Sequence, residues 1–126
     1  MPSVPFISIV DDDEGIRSSL ANLIRSAGFR AQGFSSAEAF LRSNQVQTTD
    51  CLILDVRMPG MTGPGLQREL RSENPDLPVI FITAYENTDV RTQVLDAGAV
   101  AFLYKPFYEE ELLNAINAAL GRDKNE

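Results

Sequence analysis

The stretch CLILDVRMPGMTG, Cys51 to Gly63, decides how the rest of the chain is read. Its first four residues, Cys51-Leu52-Ile53-Leu54, form an unbroken apolar run with the composition of a strand covered on both faces, as in parallel sheets. The run ends on a carboxylate, Asp55, and the chain then turns through Met58-Pro59-Gly60 to a second glycine, Gly63. An acid at the tip of a buried strand, followed by a stiff loop, suggests a carboxylate brought out of a core to be used.

The same kind of strand recurs on either side. PFISIV (Pro5 to Val10), FRAQGF (Phe29 to Phe34), LPVIFIT (Leu77 to Thr83) and AVAFLY (Ala99 to Tyr104) read as the first, second, fourth and fifth strands. Helices are expected between and after them. In EGIRSSLANLIRSAG, the residues Ile16, Leu20, Leu23, Ile24 and Ala27 fall at helical spacing, and Gly28 supplies a stop. Ser35 or Ser36 can cap a helix through AEAFLRS. PGLQRELR (Pro64 to Arg71) has proline in its first turn, NTDVRTQVLDAG starts near Asn87 or Thr88 and stops at Gly98, and EEELLNAINAALG ends at Gly121. RDKNE, residues 122–126, is expected to fray. Five alternations with right-handed crossovers predict an α/β fold, a doubly wound five-stranded parallel sheet with five helices, and the flavodoxin-like order 2-1-3-4-5 is the one expected for it. The chain is expected to be one domain, 1–126, with a core from about 4 to 121.

In such a sheet the working crevice lies beyond the C-terminal ends of the strands. The first strand ends in Asp11-Asp12-Asp13-Glu14, the third in Asp55, the fourth in Thr83 and the fifth in Lys105-Pro106. The order predicts that these acids, a hydroxyl and an ammonium converge on one pocket. Asp11, Asp12 and Asp55 would repel one another, which favours a hard dication such as Mg²⁺ with its preference for oxygen ligands. Lys105 offers a positive charge to a phosphoryl oxygen, Thr83 a hydrogen bond, and the stiffened loop the carbonyl of Arg57. The set suits phosphoryl transfer to a carboxylate.

Composition narrows the classes. The chain has 126 residues, 44% hydrophobic and 23% charged, which are ordinary values for one compact domain. A net charge of −7 disfavours direct binding to nucleic acid or anionic lipid. The absence of histidine removes Ser-His-Asp catalysis, His-based zinc sites and any phosphohistidine of its own. One cysteine, Cys51, precludes an internal disulfide, fits a reducing compartment and is expected to be an inert core thiol. No basic stretch precedes the first apolar run and no run is long enough to cross a membrane, so a cytoplasmic location is expected.

IVDDDEGIR, LDVRMPGMTG, FITA and FLYKPF, in that order and spacing, resemble the receiver domain of two-component response regulators across about Val4 to Leu120. The resemblance implies that Asp55 is the phosphoacceptor, Asp12 a direct Mg²⁺ ligand, Asp11 a ligand through water, and the Arg57 carbonyl a further ligand. Thr83 would move toward the phosphoryl group, Lys105 would pair with it, Phe102 would change rotamer in response, and the Lys105-Pro106 bond would be cis. Arg57 and Tyr85 would flank the path of hydrolytic water. Asp13 and Glu14 are assigned to helix-start electrostatics. Tyr108 is an unusual cap residue, offset by Glu109, Glu110 and Glu111 through the helix dipole. The donor would be a sensor histidine kinase, and the fourth helix, fifth strand and fifth helix the output surface. The chain would thus be a switch and not a turnover enzyme. LDVRMPGMTG with FITA is similar to receivers of the LuxR/FixJ type, which implies transcription control through a C-terminal DNA-binding domain, with dimerisation on phosphorylation. A haloacid dehalogenase-type phosphohydrolase is the enzyme alternative, but Gly15 follows Asp11-x-Asp13 where Thr or Val is required. A flavodoxin-like FMN carrier would need a phosphate-friendly first loop, and this one is acidic. An EF-hand would need a glycine and a glutamate that the Asp11 loop lacks.

Overall fold

A computed structural model describes residues 4–121 of the chain; the segment 122–126 expected to fray lies outside them. Strands and helices alternate in the order β1 (Phe6–Val10), α1 (Glu14–Ser26), β2 (Arg30–Phe34), α2 (Ala37–Arg42), β3 (Cys51–Asp55), α3 (Gly63–Glu73), β4 (Val79–Thr83), α4 (Thr88–Asp96), β5 (Ala101–Tyr104) and α5 (Glu109–Ala119). The five strands are all parallel, in the order β2-β1-β3-β4-β5, so the predicted architecture holds.

Every residue of β1, β3 and β4 is buried. Alternate side chains enter two separate cores, because successive residues of a strand point to opposite faces. Leu52, Leu54 and Phe81 join Phe40, Leu66 and Val94 on the face covered by α2, α3 and α4. Ile7, Ile9, Ile53 and Ile80 join Leu20, Ile24, Leu112 and Ile116 on the face covered by α1 and α5. The polar exception in β1, Ser8, is fully buried and shares a 2.7 Å hydrogen bond with the Thr49 hydroxyl. No described helix is long and apolar enough to cross a membrane.

Helix starts follow the capping residues. Asp13, Ser36, Thr62 and Asn87 each accept a backbone N–H from three residues on, at 3.0 to 3.2 Å. Tyr108 precedes α5 without a conventional cap; instead the Glu111 carboxylate accepts the Tyr108 N–H at 3.1 Å. The acidic first turn thus contributes a directed hydrogen bond as well as the dipole compensation expected for it. β4 and β5 are each two residues shorter than the runs that contain them, and β1 and β2 one residue shorter. β4 begins at Val79, after Pro78, and β5 begins at Ala101, because the Ala99 N–H is spent closing α4 on the Val94 carbonyl at 2.9 Å.

Gly63 fixes how α3 leaves the sheet. A methyl at this position would overlap the carbonyl oxygen of Asp55, lie 3.0 Å from Phe81 Cε1 and 3.1 Å from the Val56 Cα. Two of those neighbours are backbone and cannot swing aside. Gly63→Ala is therefore expected to destabilise the domain by about 3 kcal/mol through overpacking, read as a drop in urea midpoint at unchanged slope. Gly65→Ala, whose methyl would press on the side chains of Met61 and Thr62, is the control and should stay within about 1 kcal/mol of wild type.

Candidate functional site

Sheet order brings the tips of β1, β3 and β5 to one edge. Asp55 is the last residue of β3 and is 7% exposed; Asp11 directly follows β1 and is wholly buried; Asp12 is exposed. One carboxylate oxygen from each of the three lies within 4.8 Å of the others. From the far side of β4, the Lys105 ammonium reaches Asp11 Oδ2 at 3.0 Å. Asp11 Oδ1 accepts the Asp13 N–H at 2.9 Å, and its main-chain carbonyl accepts Arg17 Nη1 at 2.8 Å. The loop that carries the two β1 acids is thereby held at several points. A cleft of about 340 Å³ opens over Asp11, Asp12 and Asp55, bounded by Arg57, Tyr85 and Lys105.

The electrostatics of Asp55 follow from this packing. Burial is the largest influence and the Asp11 charge the next; together they push its pKa from an ordinary 3.8 up to about 6. Lys105 and a hydrogen bond from the Arg57 backbone pull the other way, and Asp12 adds to the rise. Three acids against one ammonium, all offering oxygen, make a donor set that fits a hard divalent cation such as Mg²⁺. Burial pushes the Cys51 thiol up to about 12, which keeps it protonated and inert in the core, as expected.

Other expected participants stand in arrangements that strand-end reading did not foresee. Thr83 is buried and does not line the cleft. Its hydroxyl accepts the Tyr85 N–H at 3.1 Å, the local turn that β4 uses to leave the sheet. Lys105 is paired with Asp11, and its main-chain N–H donates to the Thr83 carbonyl at 2.7 Å, joining the tips of β4 and β5. Phe102 is buried, its ring 6.3 Å from Phe81 and 5.3 Å from Tyr104. The Lys105-Pro106 bond is cis. Arg57 and Tyr85 touch: the guanidinium sits 4.5 Å from the ring centroid, so the pair forms one wall of the cleft. Their contact has a sequence signal, since each lies a few residues past a neighbouring strand (Asp55 pairs with Ile82). Glu38 on α2, which accepts the Met61 N–H at 2.9 Å, has none.

A family model for the response regulator receiver domain matches residues 7–117. Nodulation protein W of Bradyrhizobium diazoefficiens is 43% identical over 94% of this chain and 52% of its own length. The response regulator protein TodT of Pseudomonas putida is 46% identical over 90% of this chain and 50% of its own. Among solved structures, FixJ-N superposes with a TM-score of 0.84 at 34% identity, covering 98% of each chain. The chain spans about half the length of the curated relatives it matches.

Asp55 holds a proton more tightly in the folded chain than in the unfolded one. The stability linked to that proton is fully present below 3.8 and is lost as pH rises through about 6. In metal-free buffer, Asp55→Asn, neutral at every pH, should therefore melt higher than wild type near pH 7.5, and the gap should narrow markedly by about pH 4.5, closing only below 3.8. Added Mg²⁺ should raise the melting temperature of wild type at neutral pH and leave Asp55→Asn nearly unchanged. Thermal denaturation followed by circular dichroism at the two pH values reads all three effects.

Proposed function

The chain belongs to the response regulator receiver domain family, the switch module of two-component signalling, and from that premise we propose that Asp55 is its phosphoacceptor. The supporting observation is the cluster itself: an oxygen from each of Asp11, Asp12 and Asp55 within 4.8 Å, beside the Lys105 ammonium. Asp12, Asp11 through water, Asp55 and the Arg57 carbonyl would hold Mg²⁺. When bound, that ion offsets the negative charge that the carboxylates and an incoming phosphoryl group share.

The residues divide the remaining work. With a pKa of about 6, Asp55 is mostly ionised at neutral pH yet more basic than an ordinary aspartate. One of its oxygens bonds to phosphorus as the P–N bond of a phosphohistidine on a sensor kinase breaks, and the electron pair leaves with the imidazole. Lys105 uses one of three ammonium hydrogens on Asp11, so the others are available to a phosphoryl oxygen. Thr83 would leave its turn with Tyr85 to reach the new group. That movement would change the space at the β4 tip, and Phe102 would change rotamer in response. The responding surface is α4, β5 and α5: α4 buries only Val94, and β5 buries only Phe102 of its four residues. Lightly packed elements are those whose positions shift at small cost.

The chain then acts as one receiver domain, about 4–121 in its core, working in the cytoplasm with a histidine kinase. It is a switch and not a turnover enzyme. Its output would be transcription control through a DNA-binding domain outside this sequence, with dimerisation on phosphorylation. The net charge of −7 leaves DNA contact to that other domain.

Incubation with acetyl phosphate and Mg²⁺ should add one phosphoryl group per chain by intact mass. The adduct should map to Asp55 and be absent from Asp55→Ala and from samples with chelator; an adduct elsewhere would falsify the assignment. Replacing Arg57 and Tyr85 together by alanine should open the cleft to water and shorten the acyl-phosphate lifetime about two- to fivefold, the rate equivalent of roughly 0.5–1 kcal/mol for such a stack. An unchanged lifetime removes their protective role.

A further inference from the structure

The loop between β3 and α3 is held by a residue that lies outside the cleft and 23 positions away in sequence. Glu38 sits in the first turn of α2. Its Oε2 accepts the Met61 N–H at 2.9 Å. Beside it, Gly60 has φ +76, and a Cβ there would lie 2.6 Å from the same oxygen. The φ favours glycine there, and the carboxylate packs into the space that glycine leaves. The Met61 hydrogen bond is also the main reason that the Glu38 carboxyl lies below its ordinary range. The loop so held runs on from Asp55 and contains Arg57, whose backbone bonds to the Asp55 carboxylate and whose guanidinium stacks on Tyr85. A loose loop would have to be ordered each time a cation or phosphoryl group arrived.

We propose that Glu38 is a positioning residue for phosphoryl acceptance, a hydrogen-bond acceptor that clamps the β3–α3 loop at Met61 and so presets the Arg57 main chain at the cation site. The inference rests on the assignment of Asp55 as acceptor. Glu38 touches neither Asp55 nor the expected ligands, and acts through the loop. Groups hydrogen-bonded directly to metal ligands typically change affinity about 10- to 100-fold when lost, and a clamp one step further out is expected at the lower end of that range.

The test compares Glu38→Ala, Glu38→Asp and Glu38→Gln in the whole chain. Aspartate keeps the charge but is one methylene too short to reach Met61. Glutamine keeps the reach and an acceptor oxygen but loses the charge. Two measurements are made: amide hydrogen exchange at Met61 without metal, and the Mg²⁺ concentration that gives half-maximal phosphorylation by acetyl phosphate. Alanine and aspartate should both speed Met61 exchange and raise the half-saturating Mg²⁺ about tenfold or more, while glutamine stays closer to wild type on both. The opposite order, aspartate like wild type and glutamine like alanine, would mean that charge and not the clamp matters, and would overturn the proposal. Unchanged exchange and unchanged Mg²⁺ dependence in alanine would overturn it as well. Wild type that takes up no phosphoryl group sinks the Asp55 assignment instead, and Met61 exchange still reads the clamp on its own.

Discussion

The ion pair between Lys105 and Asp11 joins residues 94 apart in sequence and ties the two ends of the working edge together. Asp11 is fully buried, and a buried carboxylate is tolerated only when its oxygens are satisfied. Both are: one by the ammonium, the other by the Asp13 N–H. Removing the lysine would leave an uncompensated charge inside the domain, a larger loss than the pair's own attraction. The same residue's main chain bonds to Thr83. Sheet order brings the strand tips together, and Lys105 links the β5 tip to those of β1 and β4.

That cluster works against the fold that displays it. Burial and the Asp11 charge both oppose ionisation of Asp55, a repulsion that a cation or a proton relieves. Elsewhere the sheet is conventional, with three wholly buried strands and a separate core on each face. The tension is confined to one edge, where Gly63 lets α3 depart within contact of the Asp55 carbonyl. Packing is thinnest on the side that carries α4 and β5. An event at the strong edge has its easiest outlet there.

The fold was legible because apolar strands and their helix caps are local signals. Cys51 to Leu54 announced a buried strand by composition alone, and Ser36 and Asn87 announced helix starts by residue type. The flavodoxin-like strand order, expected for the fold class, then implied the gathering of Asp11, Asp12, Asp55 and Lys105. What strand ends could not disclose is where each polar atom is already engaged. Thr83 is occupied by its own turn and Lys105 by Asp11, facts set by side-chain rotamers at a junction of three segments. The Tyr108 start of α5 was a puzzle in sequence because its partner, Glu111, does the capping from inside the helix. Glu38 was invisible for a different reason: a side-chain bond to a distant backbone N–H leaves no periodicity and no motif.

The silence of Cys51 has a consequence for what this module can respond to. Peroxides and disulfides react with thiolates, and a thiol pushed to about 12 inside β3 presents almost none at cellular pH. The sequence holds no second cysteine and no histidine. Oxidative stress, which toggles many regulators through reactive thiols, thus finds almost no thiolate here. The interior withholds a redox-sensitive thiol and leaves the Asp55 carboxyl, at the acidic edge of the sheet, as a group whose protonation is moved toward neutral pH.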